Sequence, residues 1–243
     1  MNPTQGVLGE AWDLYKAHWR HLIPIALVVY IFLALATLVL SLALNWVGVV
    51  LGLLISIVGA FWVQGALTQA VADIRDGRAD LSLSDTFKQV QPRLGSIIVG
   101  GLLAGIGISI GLLLFIVPGL ILLTWWVLLI PVIVLEGRSA GEGFGRSREL
   151  VRGFGWNVFG VIVLTFLILI GVGILLSLLL SPFADWLQGF LSNVISGTLT
   201  TPFVALVWTL LYYRLVAVKE APAEAAAATP AQPAAEPPPS APA

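Results

Sequence analysis

The chain has 243 residues, of which 58% are hydrophobic and only 10% charged, with 12 Lys and Arg against 13 Asp and Glu. Soluble domains carry about 25% charged residues, so composition excludes an ordinary soluble domain; the near-neutral net charge is uninformative, because its distribution matters more than its sum, and no nucleic-acid partner is expected. Cysteine is absent, which removes disulfides, thiolate metal sites and thiol nucleophiles.

The first segment, MNPTQGVLGEAWDLYKAHWRHLIP, has acids, no short apolar core and no small-residue cleavage site, so it does not read as a signal peptide. Leu8, Trp12, Tyr15 and Trp19 recur at helical spacing, with Glu10, Asp13, Lys16 and Arg20 on other faces. That pattern predicts an amphipathic helix in the membrane interface, where Trp and Tyr rings are at home. Residues 22–44 and 47–72 are each long enough to span a bilayer, which needs about 20 apolar residues, with Asn45-Trp46 as the turn between them. The polar loop that follows contains a second amphipathic register, Leu83, Phe87, Val90 and Leu94, opened by a capping pair, Ser82 and Asp85. The third span is 95–117. Gly100, Ala104, Gly107 and Gly111 form a side-chain-poor face on it, which allows helix backbones to approach closely, within the chain or between two copies.

Pro118-Gly119 is expected to turn the chain into a fourth span, 120–135, and Pro131 to kink that span by removing a backbone donor. Ser139 with Glu142 predicts a capping box at the head of a third amphipathic segment, with Ala140, Phe144, Ser147 and Val151 in register. Ser147 interrupts its apolar stripe. Spans five and six are 156–180 and 190–218, the last containing Pro202, which is expected to kink it. Residues 220–243 hold seven of the 14 prolines and a block of alanines, too little apolar bulk for a core, and are expected to be a disordered tail.

These elements predict an all-α polytopic helical bundle with six transmembrane helices in one membrane domain, 1–219. Every Lys and Arg lies in the N-terminal segment, the two basic loops or the end of span six. The positive-inside rule then places both termini in the cytoplasm and the protein in the plasma membrane. Three times an amphipathic segment precedes an apolar hairpin. This is either a three-fold parallel repeat or the common habit of amphipathic helices preceding spans.

The segments GALTQAVADIRDGRADLSLSDTFKQVQPRL, IVPGLILLTWWVLLIPVIVLEG and GFGRSRELVRGFGWNVFG resemble the membrane domain of some bacterial glycerophosphoryl diester phosphodiesterases and its stand-alone actinobacterial relatives. The likeness covers about Leu8 to Lys219. It implies a fold and a location. It carries no catalytic residue, because the family's chemistry belongs to a separate soluble barrel with catalytic His and metal-binding carboxylates, and this chain has only His18 and His21.

The candidate contacts are therefore Glu136, Arg138, Arg146, Arg148 and Arg152. Glu136 can fasten the kinked span to the arginine segment or serve as a proton or substrate carboxylate. The arginines can grip anionic headgroups or only set topology. No metal or cofactor is expected. Polar positions such as Gln64, Thr68, Ser196, Thr198, Thr200 and Thr201 can line a path or bond their own backbone. The expected role is a non-enzymatic membrane module with the bilayer, and an unknown protein, as partners; the alternative is a small transporter of a lipid-related or small-molecule substrate.

Overall fold

The computed structural model describes residues 3–77 and 82–227. Among them the chain is helical, with no strand: α1 (Val7–Arg75), α2 (Leu83–Val90), α3 (Leu94–Leu114), α4 (Ile116–Trp126), α5 (Leu129–Glu136), α6 (Ala140–Val151), α7 (Gly155–Leu180) and α8 (Asp185–Ala227). Five helical stretches are long and apolar enough to cross a membrane. The first folds back on itself. Asn45 adopts φ 51, ψ −129, a positive-φ conformation outside the αL well, and Asn is among the non-glycine residues found most often at positive φ. Beyond it Gly48 lies against the Leu40 carbonyl, Gly52 against Thr37 and Gly59 against Leu33. Thr37 Oγ1 and Ser56 Oγ are 3.4 Å apart across the two limbs. The bundle thus has six crossings.

The surface is what places it in lipid. Leu42, Leu113, Leu178, Phe32 and Phe166 are all exposed, far more apolar surface than a soluble protein shows to water. Trp46 at the turn end and Trp156 at the charged end are exposed, as interfacial rings should be.

The core sits at the charged end, around the second helix of each hairpin: Val63 to Ile74 on α1, Leu129 to Val134 on α5 and Phe203 to Leu215 on α8. Each first helix lies outside and buries one narrow stripe at i, i+3, i+4 and i+7. The stripes are Leu22/Ile25/Ala26/Val29, Ile97/Gly100/Gly101/Ala104 and Val158/Val161/Ile162/Thr165. The amphipathic helices also follow one plan. Phe87 of α2 stands edge-on to Trp62 of the first hairpin, Phe144 of α6 edge-on to Trp126 of the second, and Trp12 of α1 edge-on to Phe203 of the third. Each unit therefore leans on the inner helix of its neighbour, in cyclic order. Ser147, which interrupts the third stripe in sequence, is fully buried there because its hydroxyl donates to the Trp125 carbonyl at 2.6 Å.

Three expectations change, and the break in span four falls upstream of Pro131 itself. The turn before α4 is at Phe115 (φ −154, ψ 135) and not at Pro118-Gly119. Pro118 lies in the first turn of α4, where a missing N–H costs nothing, and Gly119 is where α3 and α4 touch backbones. Pro131 breaks its span at Val127–Leu128, one turn upstream, because the Val127 carbonyl has lost its i+4 donor. Pro202 makes no break, and α8 runs through it. The helix also continues through Ala227, well past 219, as alanine's high helix propensity favours; the rest of the expected tail lies outside the described residues.

Helices α2 and α6 are both capped by the expected serine, but only the second carries the full reciprocal capping box. Ser82 Oγ accepts from the Asp85 N–H at 3.2 Å, and Ser139 and Glu142 form the reciprocal box. Ser139→Ala should lower stability by about 1 kcal/mol, read as a shift of the SDS-unfolding midpoint in mixed micelles. The Glu142 carboxyl is held below its ordinary value, first by the Ser139 hydroxyl and then by the Ser139 N–H. A lowered folded-state value means this contribution is present above the ordinary Glu value and fades as pH falls through the lowered one.

Candidate functional site at the charged end

Three helices meet at Glu136. It is the last residue of α5, and the αL glycine that follows, Gly137 (φ 70), turns the chain so that α6 packs back alongside. The Arg93 guanidinium reaches over this corner to the Val134 carbonyl. Glu136 Oε1 accepts from Arg146 Nε at 2.9 Å and from the Tyr212 hydroxyl of α8 at 3.1 Å, and Oε2 accepts from Arg138 Nε at 2.5 Å. Arg146 is only 14% exposed and bonds two further carboxylates, Glu149 at 3.3 Å and Glu220 at 2.8 Å. Burial works against its charge, but the Glu136, Glu220 and Glu149 carboxylates outweigh that and hold its protonated form more firmly than usual. This is a pin joining α5, α6 and α8. Glu136 and Arg146 are thus both engaged with partners inside the protein.

Arg148, two residues further along α6, and Arg152, the residue that follows its last turn, behave differently. The Arg148 guanidinium lies over the Trp125 ring, 4.1 Å from its centre. The Arg152 carbonyl accepts from Lys219 Nζ at 2.8 Å, but its side chain is exposed. Neither guanidinium has a carboxylate within 4 Å among the described residues. Both line a groove of about 620 Å³ with Trp125, Gly145, Gly153 and Gly155. Glu149 also borders it, with its carboxylate turned to Arg146. Gly153 has φ 93, a conformation that needs glycine, and it lets the chain pass tightly from α6 to α7.

The glycine face of α3 is used inside the chain. Gly100 faces Ile133 and Leu129, Ala104 is buried, Gly107 faces Trp126 and Gly111 faces Gly119. Two of the polar positions on the second helices bond their own backbone, Thr68 to the Gln64 carbonyl and Thr200 to the Ser196 carbonyl, while the buried Thr198 hydroxyl has no partner among the described residues. Tyr30 and Thr201 join α1 to α8 at 2.8 Å. His18 marks a kink in α1 (φ −118, ψ 18), and no group of three metal-ligating side chains occurs among the described residues.

Sequence reasoning missed Tyr212 and Glu220. The Tyr212-Tyr213-Arg214 run at the end of span six was the available signal, since Tyr hydroxyls at a membrane boundary seek polar partners. Searches of protein-family models, curated proteins and solved structures match none of them to this chain.

Proposed function

We propose that this multi-pass membrane protein is a non-enzymatic module that captures anionic lipid headgroups at its charged face, which the positive-inside rule makes the cytoplasmic one. The observation that carries this is the split among three neighbouring arginines. Arg146 is consumed by carboxylates, whereas Arg148 and Arg152 face an open groove with no counter-charge of their own. A phosphate there would satisfy both. The likeness to the phosphodiesterase-associated membrane domain supports a membrane module that works beside chemistry done elsewhere. The exporter alternative finds less support, because three of the hydroxyls expected to line a path are engaged, Thr68 and Thr200 with their own helices and Thr201 with Tyr30.

The full chain should be reconstituted in nanodiscs of mixed phosphatidylglycerol and phosphatidylcholine, and the lipids retained on it identified by native mass spectrometry. Two near-surface cations at about 1 kcal/mol each give roughly 30-fold preference for the anionic lipid. Arg148→Ala with Arg152→Ala should abolish it, while Arg138→Ala should leave most of it. Equal retention of both lipids by the wild-type protein would remove this reading.

A further inference from the structure

At the turn end, α7 and α8 part. Nothing lies within 4 Å of where a Cβ would stand on Gly173 of α7 or Gly189 of α8, and the space between the helices is a notch of about 500 Å³. Its α8 wall carries Ser192, Asn193, Ser196 and Thr200, and Tyr30 of α1 also lines it. These four positions share one face of α8 at the helical period. None of the notch's lining residues is charged. Thr200 is bonded to the Ser196 carbonyl, but the Ser192 hydroxyl and the Asn193 amide bond no protein atom among the described residues. Thr200 also borders a second cavity of about 360 Å³, whose walls are Ile168, Leu169 and Val172 of α7, Leu199 and Phe203 of α8, and rings from the first amphipathic helix. That cavity is apolar.

Depth along α8 gives the order. α8 starts at Asp185 at the turn end. From that end the notch's polar residues run from Ser192 to Thr200, which are about 12 Å apart along the helix. The apolar slot continues from Thr200 to Phe203, toward the charged end, where Tyr15 of the first amphipathic helix donates to the Leu199 carbonyl. Unanswered amide and hydroxyl groups in lipid cost free energy, and this pair of cavities presents them in the sequence of an amphiphile: polar toward the turn end, apolar further along.

We propose that the α7–α8 groove holds one lipid of the turn-end leaflet, with an uncharged, hydroxyl-bearing headgroup in the notch and an acyl chain in the slot. The headgroup class follows from the lining. Hydroxyls both donate to and accept from Ser and Asn side chains, whereas a phosphate would find no cation there.

The test is native mass spectrometry of the full chain carrying Arg148→Ala and Arg152→Ala, so that the charged-end groove does not contribute. The probes are a diglucosyl diacylglycerol, a phosphatidylglycerol with the same chains, and the free disaccharide. The glycolipid should bind at least tenfold more tightly than the phosphatidylglycerol, and the disaccharide should not bind. Asn193→Leu with Ser196→Leu should weaken glycolipid binding about tenfold. Val172→Trp, which fills the slot without touching a polar group, should do the same, with a thermal melt confirming that each variant is folded. Equal binding of the phosphatidylglycerol, binding of the free disaccharide, indifference to both sets of variants, or occupation of the groove only in a dimer of the chain would each overturn the proposal.

Discussion

Arg146→Met should lower the stability of the reconstituted protein by about 3 kcal/mol, the upper range for hydrogen bonds to charged groups, while Arg148→Met, two residues on, should cost less than about 1 kcal/mol. The two side chains have the same chemistry and similar neighbours in sequence, so the difference lies in their partners. Arg146 is 14% exposed and holds Glu136, Glu149 and Glu220 together. Removing it strands Glu136 with Arg138 and Tyr212 alone and frees the end of α8. Arg148 loses only its stacking on Trp125, worth about 0.5–1 kcal/mol at an exposed site. SDS-unfolding curves in mixed micelles measure both. A double change, Arg146→Met with Glu136→Gln, should cost less than the two single changes together, because the remaining partner is then no longer left charged and unpaired. Equal losses for Arg146→Met and Arg148→Met would show that the pin is not what fixes α6 to α8.

The crossings, the amphipathic segments and their caps were legible because each is written locally. An apolar run of bilayer length, a Ser three residues before an acid, and an Asn between two apolar runs all act through neighbouring atoms. The expectation that Glu136 pairs with one of Arg146, Arg148 and Arg152 also came from the sequence, and it did not say which; the partner is Arg146. What could not be read is whatever depends on the third dimension. Glu220 and Arg146 are 74 positions apart and pair at 2.8 Å. Tyr212 lies 76 positions from Glu136. Likewise Arg146, Arg148 and Arg152 look alike in sequence, and only the packing of the other helices decides that the first is enclosed by carboxylates and the other two are not. Ser147 is the sharpest case. As a letter it weakens the stripe, and only the position of the Trp125 carbonyl makes it a buried donor that fits.

Gly119→Ala should destabilise the protein by about 2 kcal/mol, while Gly105→Ala, on the neighbouring helix, should be neutral or stabilising by up to about 1 kcal/mol. Alanine is the better helix former by about that amount, so any loss at Gly119 must come from space. A Cβ there would stand 2.5 Å from the Leu112 nitrogen, a backbone atom that no rotamer change can move. The facing position is Gly111, whose own Cβ would meet the Gly119 Cα at 2.9 Å. The α3–α4 crossing is therefore backbone on backbone, and one methyl must wedge the helices apart, at the 1–3 kcal/mol typical of overpacking. Around Gly105 no atom lies within 4 Å of the added Cβ, so only the helix-propensity gain remains. The wedge has a second consequence. Gly107, one turn from Gly111, takes Trp126, and Trp126 in turn holds Phe144 of α6. Splaying α3 from α4 loosens that chain of contacts, so Gly119→Ala should also raise amide hydrogen exchange in α6, 20 or more residues away, with Gly105→Ala leaving it unchanged. If both substitutions shift the unfolding midpoint alike, the close approach of α3 and α4 is not what holds the second hairpin shut.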